Sequence, residues 1–203
     1  MERSKIRQPA VAGQFYSASA KEIRDQISGF ADWKAKKQRV IGCVLPHAGY
    51  IYSGAVAANV VSRINIKENI IIMGPNHTGF GPVFSIMPQG AWQTPLGAVE
   101  INNQLAKTIL KSSHVKEDTS AHAYEHSVEV QLPFLQFQNI NFKIVPMVIG
   151  QADLETYKEV GEQIANAIIE TGAKDSSLII ASSDMTHYES QESASKKDKL
   201  AIE

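Results

Sequence analysis

Ile70-Ile71-Ile72-Met73-Gly74-Pro75-Asn76-His77 is the stretch that decides how this chain folds. Its apolar residues fall on consecutive positions, which suits a strand covered on both faces, although periodicity alone leaves a buried helix open. The flank settles it: Gly74-Pro75-Asn76 is turn chemistry that a helix interior rejects. Two further runs have the same design. Val40 to Leu45 ends in Pro46-His47-Ala48-Gly49, and Leu178 to Ala181 ends in Ser182-Ser183-Asp184 with His187 beyond. Helical patterns intervene from Ser53 to Ile64, from about Asn102 to Lys111, from Ser127 to Phe137 and from Asp153 to about Thr171. Ser19 followed by Glu22 reads as a capping box opening a helix to about Lys36, with Ile23, Ile27, Phe30 and Trp33 at helical spacing. Phe142 to Ile149 is another strand, in which Pro146 argues for an edge or a bulge. Strand alternating with helix makes this an α/β protein with a mostly parallel central sheet flanked by helices. The stretch Val83 to Ile101 breaks the alternation and predicts a β insertion or hairpin, with its turn in Gln93 to Gly97. A last helix is expected to begin around Lys196-Lys197-Asp198-Lys199.

At 203 residues the chain supports one sizeable core, so residues 1–203 are read as one domain. Twenty basic and 21 acidic side chains leave a formal charge of -1, which supplies no field for phosphate backbones or anionic membranes. Neither nucleic acid nor a membrane is an expected partner. The single cysteine, Cys43, has no internal disulfide partner and sits in an apolar run, where a small thiol packs. No apolar h-region opens the chain, and no run approaches the roughly 18 apolar residues of a membrane span. A reduced, cytoplasmic location is the expectation.

His47, His77 and His187 all fall just beyond the carboxyl ends of strands, where an open α/β sheet binds its ligands. One such histidine means little, but scattered placement would not put three on equivalent loops. Imidazole binds iron, copper and zinc, and Asp184 can add an oxygen donor or orient an imidazole. His47, His77 and a carboxylate would make a facial site of the non-haem iron type. In His122-Ala123-Tyr124-Glu125-His126-Ser127, His122 and His126 would share a helix face, whereas the plainer reading has Glu125 and Ser127 opening a helix whose dipole the acid complements. His122 is read as structural and His114 as exposed. A hydrolase alternative rests on Ser182 and Ser183 near His187 but lacks a GxSxG elbow, and Gly74 to Gly79 lacks the residues of a phosphate loop.

These motifs carry a resemblance. Arg7-Gln8-Pro9-Ala10-Val11-Ala12-Gly13-Gln14-Phe15-Tyr16, Pro46-His47-Ala48-Gly49-Tyr50 with Tyr52-Ser53-Gly54, Gly74-Pro75-Asn76-His77, Glu125-His126-Ser127-Val128-Glu129 with Gln131-Leu132-Pro133-Phe134-Leu135, and Ser182-Ser183-Asp184-Met185-Thr186-His187 together resemble the Memo family, also described as AmmeMemoRadiSam system protein B. The resemblance implies a fold like that of the class III extradiol ring-cleaving dioxygenases, which are non-haem iron enzymes. It implies His47 and His77 as metal ligands, Asp184 and His187 as polar residues of the same cleft, and Glu125 and His126 as its neighbours. In the family a cysteine from a later segment completes the site, which implies a chain continuing beyond Glu203; otherwise Asp184, His187, water or another chain completes it.

Two functions follow as expectations. The first is a mononuclear iron(II) or copper site with a redox role, in which His187, oriented by Asp184, transfers protons. The second is a non-catalytic module using the same cleft for a peptide or a phosphorylated ligand, weakened by the lack of an arginine cluster near the motifs. The resemblance also implies a radical-SAM system protein as a partner.

Overall fold

The computed structural model describes residues 6–203, so the leader reading of residues 1–5 lies outside it. The elements are β1 (Ile6–Arg7), α1 (Ala20–Ser28), β2 (Gly42–Leu45), α2 (Tyr50–Val61), β3 (Asn69–Pro75), β4 (Phe84–Ile86), β5 (Ala91–Thr94) and β6 (Gly97–Glu100). They continue with α3 (Asn103–Ile109), β7 (Val115–Glu117), α4 (Ser120–Ala123), α5 (Leu132–Gln138), β8 (Lys143–Ile149), α6 (Leu154–Glu170), β9 (Ser177–Ser182) and α7 (Gln191–Ile202). A 3-10 turn over Glu129–Gln131 leads into α5.

Six strands form the central sheet in the order β2-β9-β3-β8-β4-β7, and β1-β5-β6 form a small second sheet. In the central sheet every pair is parallel except β4 with β8. The register matches Leu45 with Ser182, Met73 with Ala181 and Pro75 with Ile149, so the carboxyl ends of β2, β9, β3 and β8 form one rim. The decisive stretch behaves as its composition requires, because Ile70, Ile71 and Ile72 are all fully buried in β3. Double coverage does not extend to β2: as an edge strand it leaves Val44 56% exposed.

Pro146 is a correction. It lies in β8, inside the sheet between β3 and β4. On the side away from β3, β4 pairs only with Met147 to Ile149, and the next contact is the bridge from Ile101 to Ile144. Ile144 turns its carbonyl to that side, where it accepts from Asn102 N. Alternation points the nitrogen of Pro146 the same way, into the gap between the two partners, so no ladder bond is forfeited.

Local chemistry sets the helix starts. Ser19, Asn102 and Asp153 cap α1, α3 and α6 through their side chains. Helix α1 stops at Ser28, short of the expected Lys36, and the indole of Trp33 donates to Ile27 O at 3.0 Å, satisfying a terminal carbonyl. The expected insertion is a hairpin, β5 and β6 turning at Pro95-Leu96, while β4 joins the main sheet. Helix α7 buries no residue. Among the described residues, no helix is long and apolar enough to cross a membrane.

Candidate metal centre

Three imidazoles converge at the rim. His47 follows β2, His77 follows β3, and His126 lies in the segment that passes beneath both loops; one nitrogen from each falls within 4.8 Å of the others. The rings of His77 and His126 stack at 4.5 Å, and His47 stands edge-on to both, at 5.2 and 5.6 Å. Phe15 closes one side, its ring 4.6 Å from that of His126. Close approach of these loops depends on Gly74, where a Cβ would lie 2.4 Å from Ser127 Oγ.

Glu125 supports the cluster from behind. Its fully buried carboxylate accepts from His77 N at 2.6 Å and His77 Nδ1 at 2.9 Å, and from His126 N and Ser127 N, both at 2.9 Å. Burial pushes this carboxyl up, but the hydrogen bonds from His77 and Ser127 outweigh burial and leave it below the ordinary carboxylate value. An ionised carboxylate only accepts, so Nδ1 of His77 carries a hydrogen, and the neutral ring would present its lone pair at Nε2. Burial depresses the pKa of His47 and of His126, with the neighbouring imidazoles adding to the depression and Asp184 and Glu125 opposing it. Neutral imidazole is the form that binds metals.

Asp184 links the cluster to His187. Its Oδ1 accepts from His47 N at 2.6 Å, while Oδ2 stands 3.7 Å from His47 Nε2 and 3.2 Å from His187 Nε2. The side chain of His187 is 53% exposed. The other histidines divide as their sequence settings suggest for one and only in part for the other. His122 is buried against Trp92, with ring centroids 5.8 Å apart. It does not share a helix face with His126, because α4 ends at Ala123. His114 is half-buried and meets Glu159 at 2.6 Å. Cys43 lies along β2 outside the cluster, its thiol pushed up to about 11 by burial.

The family model described as "Memo-like protein" matches residues 7–203. A "MEMO1 family protein" of Methanococcoides burtonii is 45% identical over 200 residues, covering 98% of this chain and 74% of the relative. That of Aquifex aeolicus is 44% identical over 202 residues, covering 98% and 73%, and that of Archaeoglobus fulgidus 43% over 198, covering 98% and 74%. The chain belongs to the Memo family.

The donor chemistry of this Memo-family chain fits a divalent transition-metal ion. Three imidazoles, with the carboxylates of Glu125 and Asp184 behind them, offer borderline donors and a negative surround that a divalent cation would offset. His126 enters as an equal member of the cluster, a place the sequence left to a neighbour. Its signal was adjacency to Glu125. Ser182 was singled out only as part of a hydrolase alternative and Gln131, Arg7 and Glu129 only as members of the family motifs; their roles beneath His47 and the Glu125 segment were not legible, since their partners are distant in sequence.

Proposed function

We propose that this Memo-family protein holds one iron(II) or copper ion at His47, His77 and His126 and serves a redox role on a small molecule or peptide in the cleft beside Asp184 and His187. The convergence of three imidazole nitrogens within 4.8 Å carries this reading. Three imidazole ligands would not by themselves saturate such an ion, which when bound would supply redox or Lewis-acid chemistry. The chain's own residues do the rest. Glu125 fixes His77 through Nδ1, Phe15 screens one flank from water, and Asp184 orients His187, whose exposed ring is placed to exchange a proton between solvent and a cleft ligand.

The test is anaerobic titration with iron(II) and elemental analysis of freshly purified protein. Wild type is expected to bind one equivalent, the His47→Ala/His77→Ala double variant none, and His126→Ala far more weakly. Equal uptake by wild type and the double variant would overturn the ligand set. Capture of a peptide ligand that survives chelation would favour the non-catalytic module instead.

A further inference from the structure

Ser182 Oγ, at the end of β9, has three polar neighbours: Ser127 O at 2.5 Å, Gln131 Nε2 at 2.8 Å and His47 Nδ1 at 3.1 Å. A hydroxyl has one hydrogen to give and two lone pairs with which to accept. The carbonyl of Ser127 can only accept, so the hydrogen goes there. The orientation of the Gln131 amide is fixed separately, because the same Nε2 stands 2.9 Å from Pro46 O, another obligate acceptor. That nitrogen therefore donates to Ser182 Oγ as well. One lone pair remains on the hydroxyl, and it faces His47.

We infer that Ser182 and Gln131 are positioning residues that hold His47 as its Nδ1–H tautomer, with the Nε2 lone pair turned into the cluster of His77 and His126. Neutral histidine in water favours the opposite tautomer, so the choice is imposed by the protein. In the opposite tautomer the lone pairs of Nδ1 and Oγ would confront each other. His47, Ser182 and Gln131 are 4%, 3% and 0% exposed, which leaves no room for solvent to relieve that contact. Turning the hydroxyl toward His47 would instead strip Ser127 O of its donor. The Pro46 carbonyl thus orients Gln131, Gln131 and Ser127 orient the Ser182 hydroxyl, and the hydroxyl selects the proton on His47. Glu125 does the same for His77 by a single charged contact. The tautomer stands on hydrogen-bond accounting alone, while its consequence for affinity rests on the metal reading above.

The experiment is a long-range 1H–15N correlation spectrum of the metal-free protein labelled with 15N-histidine, with His47 assigned by its loss in His47→Gln. Wild type is expected to give a protonated-type Nδ1 and an unprotonated-type Nε2. Ser182→Ala should shift His47 toward a mixture of tautomers, and Ser182→Thr should restore the wild-type pattern. In parallel, cobalt(II) titration should find Ser182→Ala weaker by about tenfold to hundredfold, the usual effect of removing a ligand's hydrogen-bond partner, with Ser182→Thr close to wild type. A wild-type spectrum with the proton on Nε2 overturns the inference whether or not any variant folds, and so does an unchanged tautomer in Ser182→Ala. Wild type with the expected tautomer but no cobalt uptake would remove the metal reading and leave the tautomer assignment standing.

Discussion

The Glu125 carboxylate accepts four N–H groups, two of them from His77, and this unites the readings its sequence left open. It satisfies the backbone donors of His126 and Ser127, ahead of a 3-10 turn that begins at Glu129 where the plain reading had Glu125 and Ser127 open a helix, and it also orients a candidate ligand. Glu125→Gln would turn an amide NH2 toward donors that need an acceptor. We expect it to cost about 1–3 kcal/mol of stability and to weaken metal binding by about tenfold to hundredfold, measured by urea denaturation and anaerobic titration; unaltered affinity would sink the assignment of Glu125 as the partner of His77. His122 makes a prediction of a different kind. Burial, aided by the Arg7 charge, pushes its pKa down to about 4. Its unfolded value is about 6.5, so between these limits the unfolded chain binds more protons and stability falls as pH drops. The full contribution is present above about pH 6.5, and roughly 3 kcal/mol is lost on reaching pH 4. Urea midpoints across this range should fall less steeply in His122→Leu, and equal slopes would refute the burial argument. At this scale the sequence was informative where a residue's neighbours are local: His47, His77 and His187 declared themselves by lying at strand ends. His126 did not, since what makes it a partner of His47 is a crossing beneath the rim.

Between elements, the segment from β1 to α1 is pinned to the 3-10 turn by one buried ion pair. Arg7 pairs with Glu129, and it also donates to His122 O at 3.0 Å and to Glu125 O at 2.7 Å. Glu129 further accepts from Ala10 N, Val11 N and the Tyr16 hydroxyl. Burial and the Glu129 charge hold that hydroxyl well above the usual tyrosine range. Breaking such a pair strands a buried charge and costs about 3–5 kcal/mol. Glu129→Gln and Arg7→Met should each lose about that much in urea denaturation, while the double variant should lose distinctly less than the sum; strict additivity would mean the two charges are not coupled. No local pattern announces this clamp, because 122 residues separate its halves. The same limit explains α1. Its start was legible in Ser19 and Glu22, but its end depends on Trp33 folding back to Ile27 and packing on Phe137, 4.6 Å away by ring centroid. Strand β8 was legible by composition, yet Pro146 suggested an edge that only the arrangement of β4 and Ile101 dispels.

For the whole molecule, the parallel register gathers the ends of β2, β3 and β9 at one rim, and the segment 125–131 is laced beneath them. Ser127 Oγ donates to Pro75 O at 3.0 Å, and Gln131 reaches both Pro46 and Ser182. These hydrogen bonds tie the rim to the crossing segment. An ion bound by His47, His77 and His126 would tie the loops after β2 and β3 to that crossing segment, and it would bind the folded state alone, since the unfolded chain holds these histidines far apart. Linkage then fixes the size of the effect: free ion at a hundred times its Kd adds about 2.7 kcal/mol to unfolding. For a chain of this length each kcal/mol raises Tm by about 2–4 °C, so saturation should raise it by roughly 5–10 °C. The His47→Ala/His77→Ala variant should show no rise at the same concentration. Hydrogen exchange should slow most at residues 46–49, 75–79 and 125–131, and remain unchanged at α7, which buries nothing against the core. A Tm rise of equal size in the double variant, or protection spread evenly over the chain, would mean that the ion binds elsewhere and that the rim serves another ligand.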